Sequence, residues 1–129
     1  MSVTRSVRLL AVTALLAAPT VFAADAEAGK AVFAKYACAT CHSVSTEPGG
    51  PVTGPTLAGV VGRKAASVKE FPMYTAALKN HAVTWDAKTL DEFLANPMAK
   101  VPGTMMVMPV PDATERANVI AYLATLKGK

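Results

Sequence analysis

Both cysteines of the chain and one of its two histidines fall within five residues, as Cys38-Ala39-Thr40-Cys41-His42. Random placement would produce that arrangement in about one chain in 4,000 of the same content. The cluster restricts the chain to a few plans: a redox dithiol, a structural disulfide, part of a metal site, or an attachment point for haem. A thioredoxin-like dithiol wants a neighbouring βαβ pattern, which the sequence lacks. A zinc site wants a fourth ligand near His81, the one histidine left over. Haem attachment asks only for what is present: two thiols three apart to add to two vinyl groups, and a following imidazole to reach the iron.

With 129 residues the chain is bounded to one domain. Two cysteines can make at most one bridge, which excludes a disulfide-dense scaffold. Much of the 52% hydrophobic content sits at the front, where Arg5 and Arg8 precede the uncharged run Leu9 to Ala24. That run is short for a membrane span, contains Pro19 and ends in small residues. Residues 1–23 are therefore expected to be an export signal cleaved near Ala23 or Ala24, leaving 24–129 as the working domain. Removing 23 of 129 residues leaves 106, with 11 Lys+Arg against 9 acids and a formal charge of +2. A chain so weakly basic, with no cationic cluster interleaved with aromatics, has no footprint for nucleic acid.

Helical signals follow. Asp25 can cap a helix whose Gly29, Val32, Phe33 and Tyr36 share one face. A glycine inside it is either tolerated or needed where another element comes close. A helix after Trp85, started by Asp86 or Thr89, turns Leu90, Phe93 and Leu94 inward and meets Pro97 just past its last turn. A short turn is expected over Thr75 to Asn80. The last helix starts box-like at Asp112 and Glu115, carries Val119, Ile120, Leu123 and Leu126 as its stripe, and can end at Gly128. Between the first helix and the short turn, Ser43 to Gly62 is rich in proline and glycine and has no usable periodicity. A loop of that length in a compact domain suggests disorder or wrapping around something functional. No strand alternates convincingly. The expected fold is all-α, three to four short helices and long loops, with a core so thin that a bound apolar group would complete it.

The other axial position of such a haem could be filled by a sulfur, an imidazole or nothing. His81, in the polar stretch Lys79-Asn80-His81, reads as an exposed histidine. Met98, Met105, Met106 and Met108 gather around Pro102-Gly103-Thr104 instead. They are either adaptable core filler or a source of a thioether ligand. A thioether opposite a histidine favours ferrous iron and closes the sixth position to substrates, which makes an electron-transfer site.

From Gly29 to Lys127 the chain resembles the class I cytochromes c. The resemblance rests on Gly29-x-x-x-Phe33 before Cys38-x-x-Cys41-His42, on Gly54-Pro55-x-Leu57, Gly62-Arg63-Lys64, Tyr74-Thr75 and Val83-Thr84-Trp85. It continues through Thr89-Leu90, Asn96-Pro97, Pro102-Gly103-Thr104-x-Met106, Glu115-Arg116 and Ile120-Ala121-Tyr122-Leu123. It implies one covalent haem c on Cys38 and Cys41, with His42 and Met106 as axial ligands. It also implies a Pro55 carbonyl on the ring N–H of His42, and Arg63, Tyr74, Trp85 and Thr104 in contact with the haem or its propionates. Gly29 and Phe33 would cross the last helix near Tyr122.

This sequence departs from that pattern near Met106. Phe93 stands where the family usually has tyrosine, and Leu78 where it usually has asparagine. Met98, Ala99 and Met105 occupy positions often held by lysine, and Met108 one usually aromatic. The implied function is a mobile, monomeric electron carrier in a bacterial periplasm, not an enzyme. Its partners would be redox proteins such as membrane oxidoreductase complexes, oxidases or periplasmic dehydrogenases. The rival readings are a fixed cytochrome subunit of an exported dehydrogenase and a peroxidase-like haem enzyme with an open sixth site.

Overall fold

The computed structural model describes residues 23–50 and 53–129. The expected export signal therefore lies outside the described residues except for its last position. Among the described residues there are five α-helices, α1 Ala26–Lys35, α2 Ala76–His81, α3 Ala87–Ala95, α4 Pro97–Lys100 and α5 Ala113–Thr125, with a 3-10 turn at Cys38–Thr40. Among the described residues the only extended pairing is an isolated bridge between Lys64 and Thr84. The fold is all-α.

Each helix begins where a side chain can take up its orphan N–H groups. The Asp25 carboxylate accepts from the N–H of Glu27 and Ala28. Asp86 and Thr89, which the sequence offers as alternative starts of α3, act together in a reciprocal capping box. Thr75 caps α2. Pro97 does more than stop α3: it is the first residue of α4, where its missing N–H costs nothing, and Asn96 caps that turn.

The terminal helices α1 and α5 cross at Gly29. A Cβ there would lie 1.9 Å from the carbonyl oxygen of Asn118 and 2.9 Å from Cβ of Tyr122. Only glycine allows the two backbones this close. Beside the crossing, the rings of Phe33 and Tyr122 meet edge-on with centroids 5.5 Å apart. Val32 and Phe33 of α1, Leu90, Phe93 and Leu94 of α3, and Val119, Ile120 and Leu123 of α5 are buried in one cluster with Trp85 and Val60. Burying such a side chain contributes roughly 1.5–3 kcal/mol.

Two expectations about α5 need correction. Only half of the capping box forms: Asp112 accepts from the Glu115 N–H, but the Glu115 carboxylate turns away to Lys35, the last residue of α1, and to Tyr36, which caps it. Gly128 does not end the helix, which stops at Thr125. Gly128 instead lets the chain press against Gly59, where an added Cβ would come within 2.7 Å of the Gly128 Cα. The N–H of Gly59 donates to the Leu126 carbonyl at 2.9 Å, so the tail fastens the long loop to α5.

Candidate functional site

The 3-10 turn after α1 begins at Ala37, whose backbone is left-handed with φ 52. It places Cys38, Cys41 and His42 on the wall of a cavity of about 400 Å³, within the size range of small-molecule and cofactor sites. The described part of the loop expected either to be disordered or to wrap something functional packs against this turn. The N–H of Gly54 donates to the Cys41 carbonyl at 2.8 Å, and the N–H of Leu57 to the Ser43 carbonyl at 2.8 Å. A Cβ at Gly54 would meet Cε1 of His42 at 2.5 Å. Glycine there lets the loop pass flat against the imidazole.

His42 Nδ1 lies 2.7 Å from the carbonyl oxygen of Pro55. A carbonyl cannot donate, so Nδ1 must carry the proton, and in the neutral ring the Nε2 lone pair is left free. Burial pushes the His42 pKa down, and the nearby Arg63 charge acts in the same direction against the Pro55 hydrogen bond. Both keep the ring neutral, the form that ligates a metal. Burial also pushes the Cys38 thiol up.

The chain from Val101 to Val110 contributes another wall through Thr104, Met105, Met106, Met108 and Val110. Both of those valines are buried, and they pin the ends of the methionine-bearing loop. The Val110 N–H donates to the Leu94 carbonyl at 2.8 Å and the Thr104 N–H to the Val101 carbonyl at 3.0 Å. Thr104 Oγ1 accepts from the Met106 N–H at 3.3 Å. Met106, half-buried, lines the same cavity as His42, as do Leu78, Phe93 and Thr104. The two departures noted in the sequence, Leu78 and Phe93, thus line the same cavity as Met106 and leave its walls with fewer polar groups.

Pro55, Arg63, Tyr74 and Trp85 also reach the cavity. The Arg63 guanidinium donates to the carbonyls of Ala58 at 2.8 Å and Thr56 at 2.7 Å. It braces the long loop and still has further N–H groups to offer. The Tyr74 hydroxyl accepts from the Val68 N–H at 3.3 Å, which leaves its own proton free to donate. Trp85 is set by backbone hydrogen bonds with Gly62 and Arg63, at 2.7 and 2.9 Å.

His81 differs from expectation: it is half-buried, its ring centroid is 5.8 Å from that of Trp85, and its Nε2 is buried without a partner. The left-handed Ala82, φ 49, turns the chain sharply between His81 and the strand-like approach to Trp85. His81 does not line the cavity. Arg116 is a residue whose role the sequence left unread. It bonds Asp91 of α3 at 2.7 Å and the carbonyls of Val110 and Pro111 at 3.0 and 2.8 Å, clamping the end of the methionine loop. Asp91 lies 25 residues away, a distance at which no local pattern could betray the contact.

Two thiols and a correctly protonated imidazole on one wall, a thioether on another, and apolar faces from Leu90, Phe93 and Leu94 between them suit a haem. An all-α shell with crossing terminal helices around such a cavity defines the small proteins that bind haem covalently and carry electrons. The family model for cytochrome c matches residues 26–127, and the chain belongs to the cytochrome c family. It is 45% identical over 109 residues to the cytochrome c-type cyt cy of Rhodobacter capsulatus, which covers 84% of this chain but only 52% of that longer protein. It is 42% identical to cytochrome c2 of Rhodoblastus acidophilus over 81% of this chain and 95% of the relative. Among solved structures, cytochrome cH from Methylobacterium extorquens superposes with a TM-score of 0.69 at 42% identity, over 78% of this chain and 98% of that one. The fold is that of a class I cytochrome c, the cofactor of the family is covalently bound haem c, and its members carry electrons rather than transform a substrate.

Proposed function

We propose that the chain is a mobile one-electron carrier in which Cys38 and Cys41 hold one haem through thioether bonds and His42 and Met106 are the axial ligands. Haem, when bound, supplies the Fe(II)/Fe(III) couple. The observation that carries the reading is the His42–Pro55 hydrogen bond, which fixes the tautomer and leaves Nε2 as the ligating atom in a cavity that Met106 also lines. Arg63, Tyr74, Trp85 and Thr104 would neutralise or hydrogen-bond the propionates, with the Tyr74 hydroxyl proton and the spare Arg63 N–H groups as donors. The apolar walls keep water from the iron.

Residues 1–23 would act as the export signal, with 24–129 released into a bacterial periplasm as a monomer. No helix among the described residues is long and apolar enough to cross a membrane. Redox proteins such as membrane oxidoreductase complexes, oxidases or periplasmic dehydrogenases would supply and take the electron. Mass spectrometry of protein recovered from a periplasmic extract tests export and attachment together. The expected mass is that of a chain starting at Ala24 or Asp25 plus one haem; a full-length chain or one without haem rejects the reading.

A further inference from the structure

Residues 53–60 carry the two groups that press on His42: Gly54, whose backbone lies flat against the imidazole, and the Pro55 carbonyl, which accepts from Nδ1. Among the described residues, all but one of the other hydrogen bonds of this segment stay local. They run to Cys41, Ser43 and Ser45 beside the attachment motif, to Arg63 just downstream, or within the segment itself. The exception is the Gly59 N–H, which donates to the carbonyl of Leu126, the residue that closes α5. Leu126 packs in turn against the buried cluster, so this one bond ties the loop on the His42 side to the core through α5.

The tie requires two small residues. A Cβ on Gly59 would come 2.7 Å from the Gly128 Cα and 2.9 Å from its nitrogen, and a Cβ on Gly128 would come 3.2 Å from the Gly59 Cα. Gly59 has a left-handed backbone with φ 68, yet that alone does not demand glycine, because Ala37, Ala66 and Ala82 adopt the same region with φ 52, 55 and 49. What excludes a side chain at 59 is the tail. The segment between Gly59 and Pro55 is also stiff: the Val60 N–H closes a turn onto the Leu57 carbonyl at 3.1 Å, and Arg63 holds the carbonyls of Thr56 and Ala58. A displacement at Gly59 therefore reaches Pro55 instead of being absorbed on the way.

We propose that the C-terminal tail is a positioning element for the axial histidine: the Gly59–Leu126 bond, admitted by Gly59 and Gly128, holds the loop where the Pro55 carbonyl meets the His42 Nδ1 proton. The proposal rests on the carrier reading above, in which His42 ligates through Nε2. A hydrogen bond at Nδ1 makes the imidazole a more basic ligand at Nε2, which favours Fe(III) over Fe(II). Hydrogen bonds weaken steeply as they lengthen and bend, so a loop pried from the tail gives a less basic ligand and a higher reduction potential.

Gly59→Ala in the haem-loaded protein drives a methyl group against the tail. Two quantities read the result: the Fe(II)/Fe(III) ratio poised against a dissolved mediator, and the exchange rate of the His42 Nδ1 proton, followed by NMR in the reduced protein. The ratio is expected to shift about threefold or more toward Fe(II) and the Nδ1 proton to exchange about tenfold faster, changes within the worth of one hydrogen bond. The Ala65 N–H, bonded to the Val83 carbonyl at 2.8 Å and no part of the tie, should keep its rate. Deleting Gly128 and Lys129 from Gly59→Ala removes the obstacle and keeps the Leu126 carbonyl, so both quantities should return toward wild type. Gly128→Val crowds the same contact from the other side, should act as Gly59→Ala does, and carries the test if Gly59→Ala does not retain haem. The proposal is overturned if these variants leave ratio and exchange unchanged, or if Ala65 exchange accelerates as much as the Nδ1 proton, the mark of general loosening. It is equally overturned if the deletion fails to rescue Gly59→Ala, which would assign the effect to backbone strain at residue 59. A reversible wild-type couple that the variants do not shift rejects the role of the tail alone; a wild-type protein with no reversible couple rejects the carrier reading as well.

Discussion

At Gly29 the backbone of α5 leaves no room for a side chain, because the obstacle is the Asn118 carbonyl, which is held in its own helix. Gly29→Ala would gain about 1 kcal/mol of helix propensity. Overpacking against backbone costs more, typically about 1–3 kcal/mol and here at the upper end. The expected outcome is a fall in Tm of the order of 10 °C for a domain of this size, measured by circular dichroism on the haem-loaded protein. An unchanged Tm would mean that the crossing can spread at no cost. Met106 is a residue of a different kind. Its neighbours Met105 and Met108 sit largely in solvent while Met106 is half-buried with its N–H tied to Thr104. Met106→Ala should therefore lose the sulfur-to-iron absorption of the ferric protein. Persistence of that absorption would show that a neighbouring thioether can swing in to replace it. The motif Cys38-x-x-Cys41-His42 was legible because attachment chemistry dictates its spacing, whereas Pro55 entered only through the family resemblance, since nothing local ties residue 55 to residue 42.

At the scale of elements, the helices announced themselves through their caps. Asp25, Thr75, Asp86 and Asp112 each stand one residue before a helix, and each satisfies N–H groups that the helix cannot. Ties between helices were not legible, because Lys35 and Tyr36 reach a carboxylate 80 and 79 residues away. Glu115 was read as part of its own cap, and the structure spends it on joining α1 to α5. Hydrogen bonds from Lys35 and then Tyr36 hold the Glu115 carboxyl below its ordinary pKa. The Lys35 ammonium is held above its own, chiefly by the hydrogen bond to Glu115. Glu115 is thus stabilising above the ordinary carboxylate range, and that contribution disappears as pH falls through its lowered folded value. Lys35 works in the opposite sense: its contribution is present below the ordinary lysine value and is lost as pH rises through the raised one. Glu115→Gln should lower Tm modestly at neutral pH, with the gap to wild type closing in acid below the carboxylate titration. A gap independent of pH would assign the tie to packing instead.

Taken whole, the molecule is a shell. Its buried cluster lies along the walls of the cavity, since Phe33, Val60, Trp85, Leu90, Phe93, Leu94, Val110, Val119 and Leu123 all belong both to that cluster and to the lining. The described parts of the long proline- and glycine-rich loop, which has no periodicity to predict it from, are held by backbone hydrogen bonds from Gly54 to Cys41, from Leu57 back to Ser43 and from Gly59 to Leu126. The cavity opens to solvent, so without an occupant the buried cluster loses apolar packing along the whole side that lines it, and a domain this small has little other core to fall back on. Cys38→Ala with Cys41→Ala should therefore lose helical signal along with the haem and show no cooperative melt. Adding free haem to that double variant should restore part of the helix content through His42 and the apolar walls, because the missing quantity is buried apolar volume more than the covalent bonds themselves. A haem-free double variant that melts cooperatively with native-like ellipticity would show instead that the five helices and their capped ends hold the shell without its filling.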